Sequence, residues 1–244
     1  ATGAIADCDR AIELDPALAE AYVSRGMARG QAGDEAGALE DFSRAIELDA
    51  SFADAYTGRG NLYDDRGEFE RAIADYDRAI ELDPRSAVAY RNRGVAYHRQ
   101  GDDVRALEDF EAAIEADPDY PMAYVSRADL RDARGDTAGA LEDLDRAIEL
   151  EPHPAKILAA RAEIRIEAGD YRAAIADAER IIELEPEDPA GYYLRGLARA
   201  YEGDDAAAIA DYTAAIERDP EDLASIAGRF LKGRAGRKRQ DAVL

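Results

Sequence analysis

Six arginines recur along the chain at a fixed interval of 34 residues, and glycine, alanine and aspartate columns keep the same period. The arginine column consists of Arg25, Arg59, Arg93, Arg127, Arg161 and Arg195. A strict period of this length indicates one supersecondary unit stacked on copies of itself, in which each repeat contacts its neighbours. Such an array forms an extended surface and rarely encloses a catalytic pocket.

Each repeat predicts two helices joined by a tight turn. In residues 19–52, Tyr22 and Gly26 recur at helical spacing until Gly33, and a second apolar stripe follows Asp34. Glycine adopts the left-handed conformation that closes a helix, and aspartate caps the N–H groups of the next one. Proline follows the second helix in most repeats and disfavours its continuation. The repeat therefore predicts an antiparallel helix pair.

These columns resemble the tetratricopeptide repeat, whose signature is W-x₂-L-G-x₂-Y followed by A-x₃-F, A and P. The third repeat gives Tyr90-x₂-Arg93-Gly94-x₂-Tyr97, then Ala106-x₃-Phe110, Ala113 and Pro118. The resemblance implies an all-α fold, an α-solenoid of antiparallel helix pairs stacked in a right-handed superhelix. The six full repeats are 19–52, 53–86, 87–120, 121–154, 155–188 and 189–222.

The chain departs from the family pattern in two ways. Arginine replaces the usual leucine in every repeat, and in repeat 155–188 Leu158 and Ala178 replace aromatic residues. Repeat 155–188 therefore matches the family signature least well.

The two ends differ from the repeats. Residues 1–18 match the second helix of a truncated repeat, which leads us to expect that Ala1 is not the natural beginning. Residues 223–232 predict a C-terminal capping helix, and 233–244 a basic flexible tail. The chain carries a net charge of −23, but residues 229–244 contribute +5, so the remainder carries −28. An acidic body argues against nucleic acid along its surface.

The arginine column is matched by an aspartate column on the second helix of each repeat. We expect a repeated structural ion pair, because a residue required in every repeat serves the repeat itself. A guanidinium suits a half-buried pair, since it is planar and offers several donors. The predicted ladder comprises Arg59, Arg93, Arg127 and Arg161 with Asp75, Asp109, Asp143 and Asp177.

The sequence argues against an enzyme. Its only histidines are His98 and His153, and its only cysteine is Cys8. No His, Cys and carboxylate cluster has metal-ligand spacing, and neither a nucleophile elbow nor a phosphate-binding glycine loop occurs. We therefore predict no catalytic residue, no metal and no cofactor.

In proteins of this family the first helices line a concave groove that takes a peptide or a partner helix. By helical phase, that face is charged in the middle of this chain and more apolar towards its C-terminal end. Aromatic anchors usually carry binding energy, so the apolar end is the predicted anchor point. The candidate residues are Asn61, Asp64, Arg91, Asn92, Arg99, Asp129, Ile166, Tyr193, Leu197 and Tyr201.

The sequence thus predicts a non-enzymatic protein–protein interaction scaffold that binds a peptide or helix of a partner, with a basic segment facing the acidic groove. One alternative is a self-associating module that stacks through its open N-terminal end. Another is a regulatory segment of a larger multidomain enzyme. No apolar run approaches the length of a membrane span, and a cytoplasmic location is expected.

Overall fold

A computed structural model describes residues 2–220, which form thirteen α-helices and no strand. The helices are α1 (Thr2–Leu14), α2 (Ala19–Gln31), α3 (Glu35–Leu48), α4 (Ala53–Asp65), α5 (Phe69–Leu82), α6 (Ala87–Arg99), α7 (Asp103–Ala116), α8 (Pro121–Ala133), α9 (Thr137–Leu150), α10 (Ala155–Glu167), α11 (Tyr171–Leu184), α12 (Pro189–Glu202) and α13 (Asp205–Arg218). The predicted all-α class is confirmed. The right-handed sense of the superhelix stays an expectation, and the predicted capping helix 223–232 and tail 233–244 lie outside the described residues.

The chain divides into two compact units between Leu130 and Arg131, within α8. In unit 1 (residues up to 130), α2 packs on α3, α4 on α5 and α6 on α7. The first helices of these pairs also pack in order, α2 on α4 and α4 on α6, so they form one continuous face. In unit 2 (from 131 onward), α10 pairs with α11 and α12 with α13.

The turn inside each repeat has the geometry that its sequence predicts. Gly33, Gly67, Gly101, Gly135, Gly169 and Gly203 have φ between +75° and +98°, the left-handed region that glycine enters without a steric penalty. The following aspartate caps the second helix in most repeats: Asp34, for example, accepts a hydrogen bond from the backbone N–H of Gly37 at 3.0 Å. Glu68 occupies the same position before α5 and makes no capping hydrogen bond.

Small residues let the two helices of a pair approach closely. Ala38, Ala72 and Ala106 are fully buried where α3, α5 and α7 meet their partners. A methyl group added at Gly60 would lie 2.7 Å from the Tyr76 ring, so the aromatic side chain fills the space that the missing Cβ leaves. Burial of the apolar stripe along each helix drives the pairing of the helices, and it fixes which side of each first helix stays exposed.

Candidate functional site

Five arginines of the column form bidentate pairs with buried aspartates of the same repeat. Arg59 donates from Nε and Nη2 to the two carboxylate oxygens of Asp75 at 2.8 and 2.7 Å. Arg93 meets Asp109 at the same two distances. The corresponding pairs are Arg25 with Asp41, Arg161 with Asp177, and Arg195 with Asp211. These hydrogen bonds hold the pKa of Arg59 and Arg93 above the ordinary guanidinium value.

The same arginines also link successive repeats. Arg93 donates from Nη1 to Asp77 of the preceding second helix at 2.6 Å, and Arg25 contacts Asp9 at 2.6 Å. Each such guanidinium therefore connects three helices. The predicted partners Arg127 and Asp143 belong to different units, so their pairing stays a prediction; within unit 1, Arg127 lies over the ring of Tyr124 at 5.9 Å.

A second group of arginines completes the ladder, and sequence reasoning missed its role. Arg29, Arg131, Arg165 and Arg199 each follow the ladder column by four residues. Arg165 donates to Asp177 at 2.6 Å, so this buried carboxylate serves two guanidinium groups. Where the position holds tyrosine, the ring instead faces the ladder arginine, as Tyr63 faces Arg59 at 5.9 Å. Their 34-residue recurrence was the available signal.

The exposed face of α4 and α6 contains a polar pocket of about 290 Å³. Five of the residues expected on the groove line it, together with Asp65, Tyr76 and Val95; the five are Asn61, Asp64, Arg91, Asn92 and Arg99. Asn61 Oδ1 accepts hydrogen bonds from Tyr76 Oη at 2.8 Å and from Asn92 Nδ2 at 2.9 Å. Burial raises the pKa of Tyr76, which keeps its hydroxyl a donor.

Two arginines of α6, Arg91 and Arg99, also line this polar pocket. Arg91 donates from Nε to Ser126 Oγ at 2.9 Å and from Nη1 to Asn92 Oδ1 at 3.2 Å. Arg99 donates to Asp64 Oδ2 at 2.6 Å. Asp64 is only 9% exposed, and its other oxygen, Oδ1, is buried without a hydrogen-bond partner. Burial raises the pKa of Asp64, and the charge of Arg99 opposes that shift.

An apolar depression of about 460 Å³ adjoins the polar pocket. Asn61 lines both, and the depression is further bounded by Met27, Gly58, Leu62 and Val88. Met27 is 56% and Val88 43% exposed, although both are apolar. Sequence reasoning placed the apolar part of the groove near the C-terminal end and missed Val88. The signal was an apolar residue in a column that holds Glu20 and Asp54 in the two preceding repeats.

The candidate residues of unit 2 lie differently from the expectation. Tyr193 and Ile166 were expected on the groove surface, but they are 8% and 7% exposed and belong to the hydrophobic core of unit 2. They are buried because α10 and α12 pack directly against each other. Leu197 and Tyr201 keep part of their surface, and the Tyr201 ring stacks on Tyr171 with centroids 5.7 Å apart.

The remaining candidate, Asp129, is exposed on α8 of unit 1 and does not line either depression. Within residues 2–220 no group of three or more His, Cys, Asp or Glu side chains is arranged to hold a metal ion. No helix of this range is long and apolar enough to cross a bilayer.

The paired helices, the stacked first helices and the repeated ladder define a helical-repeat protein. Comparison with known families identifies which one. Models described as tetratricopeptide repeat or TPR repeat match residues 19–52, 60–101, 87–120 and 159–222. The chain therefore belongs to the tetratricopeptide repeat family, and the resemblance seen in its sequence is confirmed.

Solved structures share this fold. One is a chain of the APC/C hetero-tetramer Cut9–Hcn1, with a TM-score of 0.75 at 17% identity, over 93% of this chain and 44% of that one. Another is YrrB, described as a TPR protein with an unusual peptide-binding site, with a TM-score of 0.61 at 25% identity, over 81% and 99% of the two chains. A third is PilF of Pseudomonas aeruginosa, with a TM-score of 0.74 at 19% identity, over 91% and 98%.

The present chain thus spans less than half of the matched Cut9–Hcn1 chain. A comparison with curated proteins finds no significant match. The fold and its neighbours support a protein-interaction scaffold.

Proposed function

We propose that the protein is a non-enzymatic scaffold that binds an extended segment of a partner protein on the first-helix face of unit 1. The observation that carries this proposal is the adjacency of the polar pocket and the apolar depression, which share Asn61. Together they give a surface with an apolar section beside a charged one, built on helices whose positions the core fixes.

The chemistry of this face suits a peptide better than a small molecule. Both depressions are open and lie side by side, whereas ligand pockets usually bury most of a compact ligand. Met27 adapts to different apolar side chains because it is unbranched and flexible. Asn61, Asn92 and Arg91 offer amide and guanidinium groups that hydrogen-bond to a peptide backbone. The likeness to YrrB, which has a peptide-binding site, is consistent with this use.

A peptide-selection experiment tests the proposal. A random peptide library is panned against the purified chain, and selected peptides are titrated against it by fluorescence anisotropy. Val88→Glu places a charge in the apolar depression and should weaken binding at least about tenfold, because burial of one aliphatic side chain contributes about 1.5–3 kcal/mol.

The chain offers a matched control for this substitution. Val104 is 62% exposed, lies on the second helix α7 and lines neither depression. Val104→Glu should leave the affinity unchanged. Equal affinities of both variants and the native chain would place peptide binding elsewhere.

Self-association is the second candidate function, and the exposure of α1 favours it. No residue of α1 is buried, and Leu14 is 72% exposed. Sedimentation equilibrium of the native chain and of Leu14→Glu distinguishes the two candidates. A concentration-dependent dimer that Leu14→Glu abolishes would favour self-association, while a monomer in both would leave the peptide scaffold.

A further inference from the structure

The most unusual polar group of unit 1 is the Asp64 carboxylate. Arg99 satisfies Oδ2, whereas Oδ1 is buried and has no hydrogen-bond partner. Nearly all buried polar atoms of native proteins are paired, and an unpaired acceptor costs about 1–3 kcal/mol, more when it is charged. Asp64 lines the polar pocket, and the terminal torsion of an aspartate is soft, so its carboxylate can adjust to a donor that enters the pocket.

The unpaired acceptor in the pocket wall favours a hydrogen-bond donor as the occupant. Tyr76, Asn92, Arg91 and Arg99 each already donate at least one hydrogen bond to a neighbour within unit 1. The buried acceptor without a partner is Asp64 Oδ1, and the exposed Asp65 carboxylate occupies the next position of α4. Both belong to ionised side chains, and the chain outside residues 229–244 carries a net charge of −28, which attracts cations over longer distances.

The pocket is large enough for a single long side chain. Its volume of about 290 Å³ lies just below the range that is usual for sites of whole small molecules, about 300–1,000 Å³. A guanidinium offers five N–H donors in a planar fork, and an ammonium offers three, so either can contact both carboxylates at once.

We infer that the polar pocket of unit 1 receives a basic side chain, arginine or lysine, of the partner segment, with Asp64 and Asp65 as its acceptors. This inference rests on the proposed function and deepens it by assigning the chemistry of one subsite. Arg99 then acts as an internal competitor, because its own guanidinium holds Asp64 when the pocket is otherwise free.

The position of the apolar depression adds a spacing rule. On α4, Thr57 and Gly58 line the apolar depression, and Asp64 and Asp65 line the polar pocket. Seven helical residues correspond to about 10 Å along the axis. An extended chain covers that distance in about three residues. The partner segment should therefore carry its basic residue about three positions from an apolar one.

Capped amino acids test the subsite directly. N-acetyl-arginine methylamide is titrated into the full chain while the side-chain amide signals of Asn61 and Asn92 and the backbone amide of Asp65 are followed by ¹H–¹⁵N NMR. Saturable shifts are expected with arginine and not with its uncharged isostere, N-acetyl-citrulline methylamide, or with the anionic N-acetyl-glutamate methylamide. Shifts with glutamate alone would show an anion site formed by Arg91 and Arg99 and would overturn the inference, as would the absence of shifts with all three.

Three variants separate the role of each charge. Asp64→Asn removes the acceptor charge and should weaken arginine binding at least about tenfold, since a hydrogen bond to a charged group contributes about 1.5–3 kcal/mol, and about 1.4 kcal/mol is tenfold in affinity. Glu111→Gln makes the same change of charge at an exposed position of α7 and should have no effect.

Arg99→Gln removes the competitor and should strengthen arginine binding. Weaker binding in this variant would show that Arg99 itself contacts the ligand, and the inference would fail. Circular dichroism of each variant establishes that its fold is intact.

The peptides selected in the panning experiment distinguish a failure of the scaffold function from a failure of the basic-side-chain subsite. If Val88→Glu abolishes peptide binding but Asp64→Asn leaves it unchanged, the scaffold function stands and the basic-side-chain subsite is wrong. If capped arginine binds through Asp64 but no peptide responds to Val88→Glu, the subsite stands and the proposed docking face is wrong.

Discussion

Replacing one ladder aspartate should destabilise the protein far more than replacing its exposed neighbour, and Arg93 allows both to be compared on the same guanidinium. Asp109 is 5% exposed and accepts two hydrogen bonds from Arg93 at 2.8 and 2.7 Å. Asp77 accepts a third from the same side chain at 2.6 Å, but its carboxylate side chain is 48% exposed. Asp109→Asn and Asp77→Asn are thus the same chemical change at a buried and an exposed partner.

The expected magnitudes follow from burial. Breaking a buried ion pair by altering one partner costs about 3–5 kcal/mol, because the other charge remains poorly solvated. Arg93 is 19% exposed and keeps Asp77, so we expect the lower end of this range, about 3 kcal/mol, for Asp109→Asn. Exposed pairs contribute about 0–1 kcal/mol, so Asp77→Asn should cost less than about 1 kcal/mol.

Urea unfolding followed by far-ultraviolet circular dichroism measures the difference. For an unfolding slope of about 2–3 kcal/mol per molar urea, a loss of 3 kcal/mol lowers the midpoint by about 1–1.5 M. Because a repeat array can unfold in parts, hydrogen exchange of the α6 and α7 amides should localise the loss to that pair. Equal urea midpoints for the two variants would refute the reasoning, since burial of the ion pair would then contribute nothing to the free energy of unfolding.

Three further changes test the packing, the turn and the pocket. Gly60→Ala forces a methyl group to within 2.7 Å of the Tyr76 ring and should cost about 1–3 kcal/mol by thermal unfolding, with a smaller loss pointing to ring movement. Gly169→Ala requires alanine at φ +82° and should cost about 1–2 kcal/mol in the same assay, although nothing crowds the added methyl closely. Burial raises the pKa of Asp64 above the ordinary value of 3.8, so its negative charge, and with it arginine binding, should be lost as pH falls through the raised pKa. The effect on folding stability has the opposite sign. The contribution of Asp64 to stability should be greatest below the ordinary pKa and should decline as pH rises through the pKa of the folded state. Carboxyl ¹³C NMR measures this pKa directly, and Arg99→Gln should raise it further.

The period of 34 residues determined most of the fold. It defined the paired helices, the glycine turns and the columns that meet across a pair, because every repeat must satisfy the same packing with the same neighbours. The contact between Arg59 and Asp75 followed from their co-occurrence, but the second arginine on Asp177 did not, since a column alone does not say which carboxylate a flexible guanidinium reaches. The family resemblance likewise follows from the signature residues alone.

The tertiary structure decided which surface is left for a partner. Helical phase placed Tyr193 on the same face as Asn61, yet Tyr193 is buried while Asn61 is exposed, because burial depends on how closely the neighbouring first helix packs. For repeat 155–188, too, the sequence pattern alone does not decide how the repeat packs. Its Ala178 and Ile181 are both buried in the hydrophobic core of unit 2, so a repeat without the aromatic residue still packs. The unpaired oxygen of Asp64 was also invisible in sequence, since desolvation and hydrogen bonding are set by groups brought together from α4 and α6 rather than by neighbours along the chain.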